Sequence, residues 1–170
     1  MVFKFRVVLD ILDDVFRDIE IEDGQTLEDL HNSIVQAFGF VGDEMASFYK
    51  SDDDWTQGEE ISLFSIEESA QAPKVMGDVA LNETFDKEKT KMIYVYDFLN
   101  MWTFYVELAD IEEVDRSKTY PNLMYSQGYL PDSPPEKNFE AEKTGLDDLD
   151  DDLDDDLDLD NLDDIDLDNY

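Results

Sequence analysis

The chain contains no cysteine, one histidine and only 12 Lys+Arg among 170 residues. Without cysteine there is no disulfide framework, no thiolate metal site and no cysteine nucleophile, so stability must come from burial; the redox compartment stays open. A single imidazole cannot build an ordinary transition-metal centre, and no metal or cofactor is expected. The shortage of cations weighs against direct binding of nucleic acid or of anionic membrane surfaces, since both rely on Lys and Arg. No run of about 18 apolar residues is present, and the opening MVFKFRVVLDILDDVF lacks a long apolar segment with a small-residue cleavage site. A soluble, cytoplasmic protein is the expectation.

What is abundant is acid. Asp+Glu number 46, the formal net charge is −34 and the sequence pI is about 4.1. Residues 146–170 hold 14 of the aspartates and no basic residue, leaving −20 for the first 145 positions. Self-repulsion at that density, with aspartate a poor helix former, predicts a disordered tail. Residues 116–145 contain Pro121, Pro131, Pro134 and Pro135 and read as an arm and linker. One folded domain, residues 1–115, remains.

Within it, Phe3, Phe5, Val7 and Leu9 alternate with Lys4, Arg6 and Val8, and Val15, Ile19 and Ile21 share one parity after the break at Asp13–Asp14. This period of two predicts a hairpin. Thr26 followed by Asp29 has the form of a capping box, and Leu27, Leu30, Ile34, Ala37 and Phe38 recur at helical spacing until Gly39. Further strands are predicted at Met45–Tyr49, Glu60–Phe64, Lys91–Tyr96 and Met101–Leu108, while residues 65–90 are ambiguous. The order strand, strand, helix, strand predicts an α+β domain, a mostly antiparallel sheet with one main helix packed on one face, in a β-grasp-like arrangement.

The stretch DVFRDIEIEDGQTLEDLHNSIVQAFGF resembles the strand, turn and "TLxxLHxxIQxAFGW" helix of the plasmid pRiA4b ORF-3-like family, also called transposon-passenger TnpR-like. Residues Tyr94 to Phe104, YVYDFLNMWTF, are similar to that family's YDFGDxWxH-like hairpin, and Tyr120-Pro121 follows. The resemblance supports the α+β reading, and the family label points toward resolvase activity. Family Arg, Gly, Asp and His positions correspond here to Asp18, Leu99, Asn100 or Met101, and Phe104, while Arg17, Asp97 and Trp102 are retained.

Several residues invite a functional role. His31 lies at the edge of the helix's apolar stripe and is expected to be structural or at the surface, with ligand contact as the alternative. Arg17 shares parity with Val15 and Ile19, so its guanidinium points coreward and calls for a carboxylate, Asp97 being the candidate; otherwise it snorkels to water. Tyr94, Tyr96, Phe98, Trp102, Phe104 and Tyr105 are expected mainly in the core, with some rings left to face a partner, because one helix cannot cover both sheet faces. The acidic runs at Asp52–Asp54 and at Asp156, Asp158 and Asp160 lack the Gly and Glu of a calcium loop: positions six and twelve from Asp156 are Asn161 and Leu167. No G-x-S-x-G elbow, phosphate loop or dinucleotide turn occurs.

The tail is acidic-hydrophobic, with Leu146, Leu149, Leu153, Leu157, Leu162 and Ile165 spaced three to five residues apart between aspartates. A basic surface with an apolar groove would neutralise the aspartates and seat Leu149, Leu153, Leu157 and Leu162. The expected function is therefore non-enzymatic: a protein-interaction module whose folded domain docks through an exposed sheet face. Its tail mimics nucleic acid on a basic surface of transcription, translation or DNA-processing machinery. The alternative is a mobile-element-associated enzyme or small-ligand domain with a pocket around Arg17, His31, Asp97 and Trp102.

Overall fold

A computed structural model of the chain describes residues 1–133. The elements run β1 (Val2–Leu9), β2 (Phe16–Glu22), α1 (Leu27–Phe38), β3 (Ala46–Lys50), β4 (Glu60–Ser62), β5 (Lys74–Val75), α2 (Leu81–Thr84), β6 (Lys91–Tyr96), β7 (Trp102–Glu112) and β8 (Asn122–Gln127). All eight strands join one sheet in the order β5-β4-β3-β6-β7-β1-β2-β8, antiparallel throughout except for the parallel β4–β5 pair. The domain is thus α+β, with one main helix, as the hydrophobic periods predict.

The alternation in β1 and β2 translates directly into burial. Phe5 and Val7 face Ile19 and Arg17 across the hairpin register and, like Leu9, are fully enclosed, while Lys4 and Arg6 pair with Glu20 and Asp18 on the opposite face. Helix α1 begins with the reciprocal cap: Asp29 N–H donates to Thr26 Oγ1 at 3.2 Å, and Thr26 N–H donates to Asp29 Oδ2 at 3.0 Å. It ends where Gly39 turns left-handed at φ 84°, a conformation that glycine adopts without a Cβ clash. Leu27, Leu30 and Ile34 drop into the sheet with no exposure, each side chain contributing about 1.5–3 kcal/mol on burial.

Residues 65–90, ambiguous by pattern, contain β5, a 3-10 turn at Met76–Asp78 and the one-turn α2. Hydrophobic period fails here because single anchors do the work: Met76 and Leu81 are fully buried, and Phe85 meets Phe5 edge-on at 4.7 Å. Backbone bonds from Leu27 N–H to Val79 O and from Leu81 N–H to Gln25 O stitch this segment beside the start of α1.

The stretch from residue 116 also differs from a plain arm and linker. Its described part carries β8, which continues the sheet beyond β2, with a bulge opposite Asp18/Ile19. Polar donors hold the start of this strand. Glu20, only 1% exposed, accepts from Asn122 Nδ2 at 2.9 Å and is reached by Lys118 Nζ at 3.4 Å and Lys4 Nζ at 3.5 Å. Burial pushes its carboxyl upward, but the bonds from Asn122 and Lys118 and the charges of Lys118 and Lys4 outweigh burial and hold it below the ordinary value.

A depressed native carboxylate stabilises the fold above its unfolded pKa, and that contribution disappears as pH falls through the native value. Glu20→Gln should therefore cost about 2 kcal/mol at neutral pH, the scale of hydrogen bonds to a charged group, and flatten the acid limb of the stability curve. Urea midpoints from pH 7 down to pH 3 check this; an unchanged acid limb contradicts it.

Candidate functional site

The polar residues singled out by sequence occupy separate places in the domain, and each has a local partner. Arg17 is 6% exposed and sits where β2 passes the C-terminal end of α1. Its Nε donates to Ala37 O at 3.0 Å, and one terminal nitrogen donates to Phe16 O at 2.8 Å and to Gln127 O at 2.9 Å. The guanidinium carbon lies 4.7 Å from the centre of the Phe38 ring. Arg17 therefore does not meet Asp97 as expected, and among the described residues it forms no ion pair. The reason is positional: the last turn of a helix leaves carbonyls without intrahelical donors and carries negative partial charge, which accommodates a cation without a carboxylate. Burial lowers the guanidinium pKa from its ordinary value, and Tyr129 partly counters that.

Asp97 is committed elsewhere. It opens the β6–β7 turn at φ 67°, and its carboxylate accepts from Leu99 N–H, Asn100 N–H and, at 2.6 Å, Asn100 Nδ2. Asn100 thus helps to close the turn. Trp102 follows, pairs with Tyr96 across the hairpin and packs 5.5 Å from Phe40, which itself stacks on Tyr96 at 4.4 Å. Phe38 and Phe104, 4.8 Å apart, extend the layer under the guanidinium.

His31 is 3% exposed, and its Nδ1 shares a 2.6 Å hydrogen bond with the Tyr94 hydroxyl. Burial lowers the imidazole pKa to about 4 and holds the Tyr94 hydroxyl well above its ordinary value, so both are neutral at pH 7. The structure places this histidine in the core and not at the surface. Among the described residues, the rings Phe38, Phe104 and Tyr94 link Arg17 to His31, and no hydrogen bond or ion pair joins either to Asp97.

Of the six clustered aromatics, Tyr94, Tyr96, Trp102 and Phe104 belong to the core, Phe98 is partly exposed in the turn, and Tyr105 points to the far face. That second face was less visible in the sequence. It carries a lattice of opposite charges: Arg6–Asp18 at 2.8 Å, Lys4–Glu112 at 2.9 Å and Lys91–Glu107 at 3.1 Å. Arg6 also lies 4.1 Å from the Phe16 ring centre, and Trp55 packs 4.8 Å from Tyr105, whose hydroxyl donates to Asp10 at 3.1 Å. The Asp52–Asp54 run serves this face. Asp52 Oδ1 accepts from Asp54 and Thr56 N–H to fold the loop that carries Trp55, and Asp53 pairs with Lys91. Alternation of Lys/Arg with Asp/Glu on paired strands was the available signal, legible only once the β1–β2 and β6–β7 registers are known.

A shallow cleft of about 430 Å³ opens on this face, bordered by Lys4, Arg6, Asp18, Glu107, Asp110 and Met124. Another, of about 240 Å³, lies between Ser33, Gln36 and Ala37 of α1 and Pro121, Asn122 and Leu123. Neither is lined by Arg17, His31, Asp97 or Trp102. Among the described residues no group of three or more His, Asp or Glu side chains is arranged to hold a metal, and no helix is long and apolar enough to cross a membrane.

These features define a class: an α+β domain whose mixed sheet buries an aromatic layer under one helix and turns a face of paired charges outward. The chain belongs to the plasmid pRiA4b ORF-3-like protein family, whose model matches residues 1–154. Its fold is similar to that of a protein of unknown function from Methanosarcina mazei Go1, with a TM-score of 0.67 and 20% identity over 89% of this chain and 87% of that one. No curated protein matches the sequence.

Two substitutions test the assignments. Arg17→Met strands three carbonyls and should cost about 3 kcal/mol in urea unfolding, with Arg17→Lys recovering less than half, because an ammonium lacks the fork geometry. For His31, whose native pKa lies below the unfolded value of 6.5, the unfolded state gains a proton first as pH falls. The histidine's contribution to wild-type stability should fall by about 3 kcal/mol between pH 6.5 and pH 4 and then level off. In His31→Gln, which cannot titrate, that part of the slope should vanish; identical slopes contradict the assignment.

Proposed function

We propose that the chain is a non-enzymatic protein-interaction module that engages a basic, nucleic-acid-handling surface through its acid. The observation that carries this function is the sequence of residues 146–170: 14 aspartates, no basic residue, and leucines at intervals of two to five. Those residues lie outside the described part of the structure. Solubility alone requires charge and not regularly placed leucines, whereas a cationic groove with apolar pockets uses both. Leu149, Leu153, Leu157 and Leu162 are the tail contacts, and the aspartates take the place of phosphates.

The folded domain supports the same function. The polar residues Arg17, His31 and Asp97 are engaged in backbone or core hydrogen bonds, and the charged residues it exposes are chiefly acidic. Arg6 and Lys91, the basic side chains at the middle of the second sheet face, are held by Asp18 and by Glu107 and Asp53. A nucleic-acid-like surface of this kind binds through long-range attraction, which salt screens.

Deleting residues 146–170 and comparing affinity purification at low and high salt tests this. Recovery of a basic partner should fall on the order of tenfold or more on deletion, and the intact chain should lose the same partner at high salt. Equal recovery in every condition would overturn the proposal.

A further inference from the structure

One edge of the sheet stands apart from the rest of the molecule. Charged residues make up 34% of the chain, yet residues 119–131, TYPNLMYSQGYLP, contain none. Within this run lies β8, the outermost strand, six residues long. Leu123, Met124 and Tyr125 are 46%, 43% and 52% exposed, and Tyr129 is 90% exposed. Being outermost, β8 bonds to β2 on one side only; alternate N–H and C=O groups on its other side have no strand partner among the described residues. Natural sheets usually guard such an edge with lysine, inward charge or extreme shortness. The opposite edge, β5, follows that pattern with two residues, one of them Lys74. β8 does not.

The charge around β8 is asymmetric. Its C-terminal end runs into Gly128, which at φ 76° lies so close to the Asp14 carbonyl that a Cβ would fall 2.6 Å from it. Asp13, Asp14 and Asp132 are exposed beside that end of the chain path. The N-terminal end carries the cation Lys118, held against Glu20. An incoming antiparallel strand would place its own N-terminus at the acidic end and its C-terminus near Lys118.

We propose that β8 is a docking edge for an extended segment of a basic partner, which adds antiparallel to the sheet as a ninth strand. This rests on the basic-partner function proposed above and specifies the mode of contact. The segment has an uncharged body of about six residues matching β8, with Lys or Arg preceding it. Backbone hydrogen bonds supply the register, and the leading cations select this edge and this polarity. A second copy of the chain is the less favourable occupant, because two such molecules would bring strong like charge together.

The test uses the full chain and three synthetic peptides: three lysines followed by an alternating Val/Thr run, the same peptide with prolines replacing two threonines, and the same peptide with the lysines moved to the C-terminus. Hydrogen exchange by residue locates binding and fluorescence anisotropy measures it. Amides within residues 122–127 should slow on the order of tenfold with the first peptide, and the proline and reversed peptides should bind on the order of tenfold more weakly. Equal binding of the proline peptide, or protection confined to the tail or the charged face, would overturn the docking edge. So would concentration-dependent protection of residues 122–127 without peptide, accompanied by doubling of the mass, since that assigns the edge to self-association. Failure here leaves the tail function standing if deletion of residues 146–170 still abolishes partner recovery; protection of β8 with unaffected recovery does the reverse.

Discussion

The fold depends on a buried cation that is satisfied without a carboxylate. Arg17 bonds to a carbonyl in the last turn of α1, to its own strand and to β8, with the Phe38 ring beneath its guanidinium. An isolated buried charge is costly, and an ion pair often only breaks even against its own desolvation. Here three carbonyl dipoles and a ring face share the task, two of those carbonyls belonging to elements that must be held together. The guanidinium is therefore a joint between helix, sheet and edge strand. In a chain this acidic, keeping carboxylates out of that joint also leaves them for the surface.

Around that joint the two faces of the sheet divide the labour. One is closed by α1 and a continuous layer of rings from Phe48 through Tyr94 and Phe104 to Phe38. The other is polar but not bare, because cations from β1 and β6 are matched with acids from β2 and β7 and Trp55 covers Tyr105. Glu20 belongs to this second face while reaching Asn122, so β8 is fastened at both ends by different chemistry: Glu20 to Asn122 at its start and Arg17 to Gln127 at its finish. Among the described residues no strand pairs with its outer edge.

Much of the architecture was legible because strong periods coincide with it. Phe3 to Leu9 gave β1, the Thr26/Asp29 cap and Gly39 bracketed α1, and Lys91–Tyr96 is a strand with those bounds. Local pattern could not reveal pairings between distant segments. Nothing in Pro121 to Gly128 marks a strand until β2 is seen to need a neighbour, and Met76 and Phe85 are anchors without a period. The same limit explains Arg17. Parity correctly turned it inward, but its partners are main-chain oxygens, to which residue type is blind, and Asp97, the nearest-seeming carboxylate by motif, closes its own turn. His31 was placed at the edge of the apolar stripe, and its bond to Tyr94 required the helix-to-sheet packing to appear.

The most direct measurement of this account is NMR of the Arg17 side chain in the intact protein. The Nε–H should exchange slowly with solvent, show through-hydrogen-bond coupling to the Ala37 carbonyl, and give cross-peaks to the Phe38 ring. A rapidly exchanging Nε–H, or a guanidinium whose cross-peaks run to the Asp97 turn, would contradict the claim that a carbonyl-bound cation joins helix, sheet and edge strand.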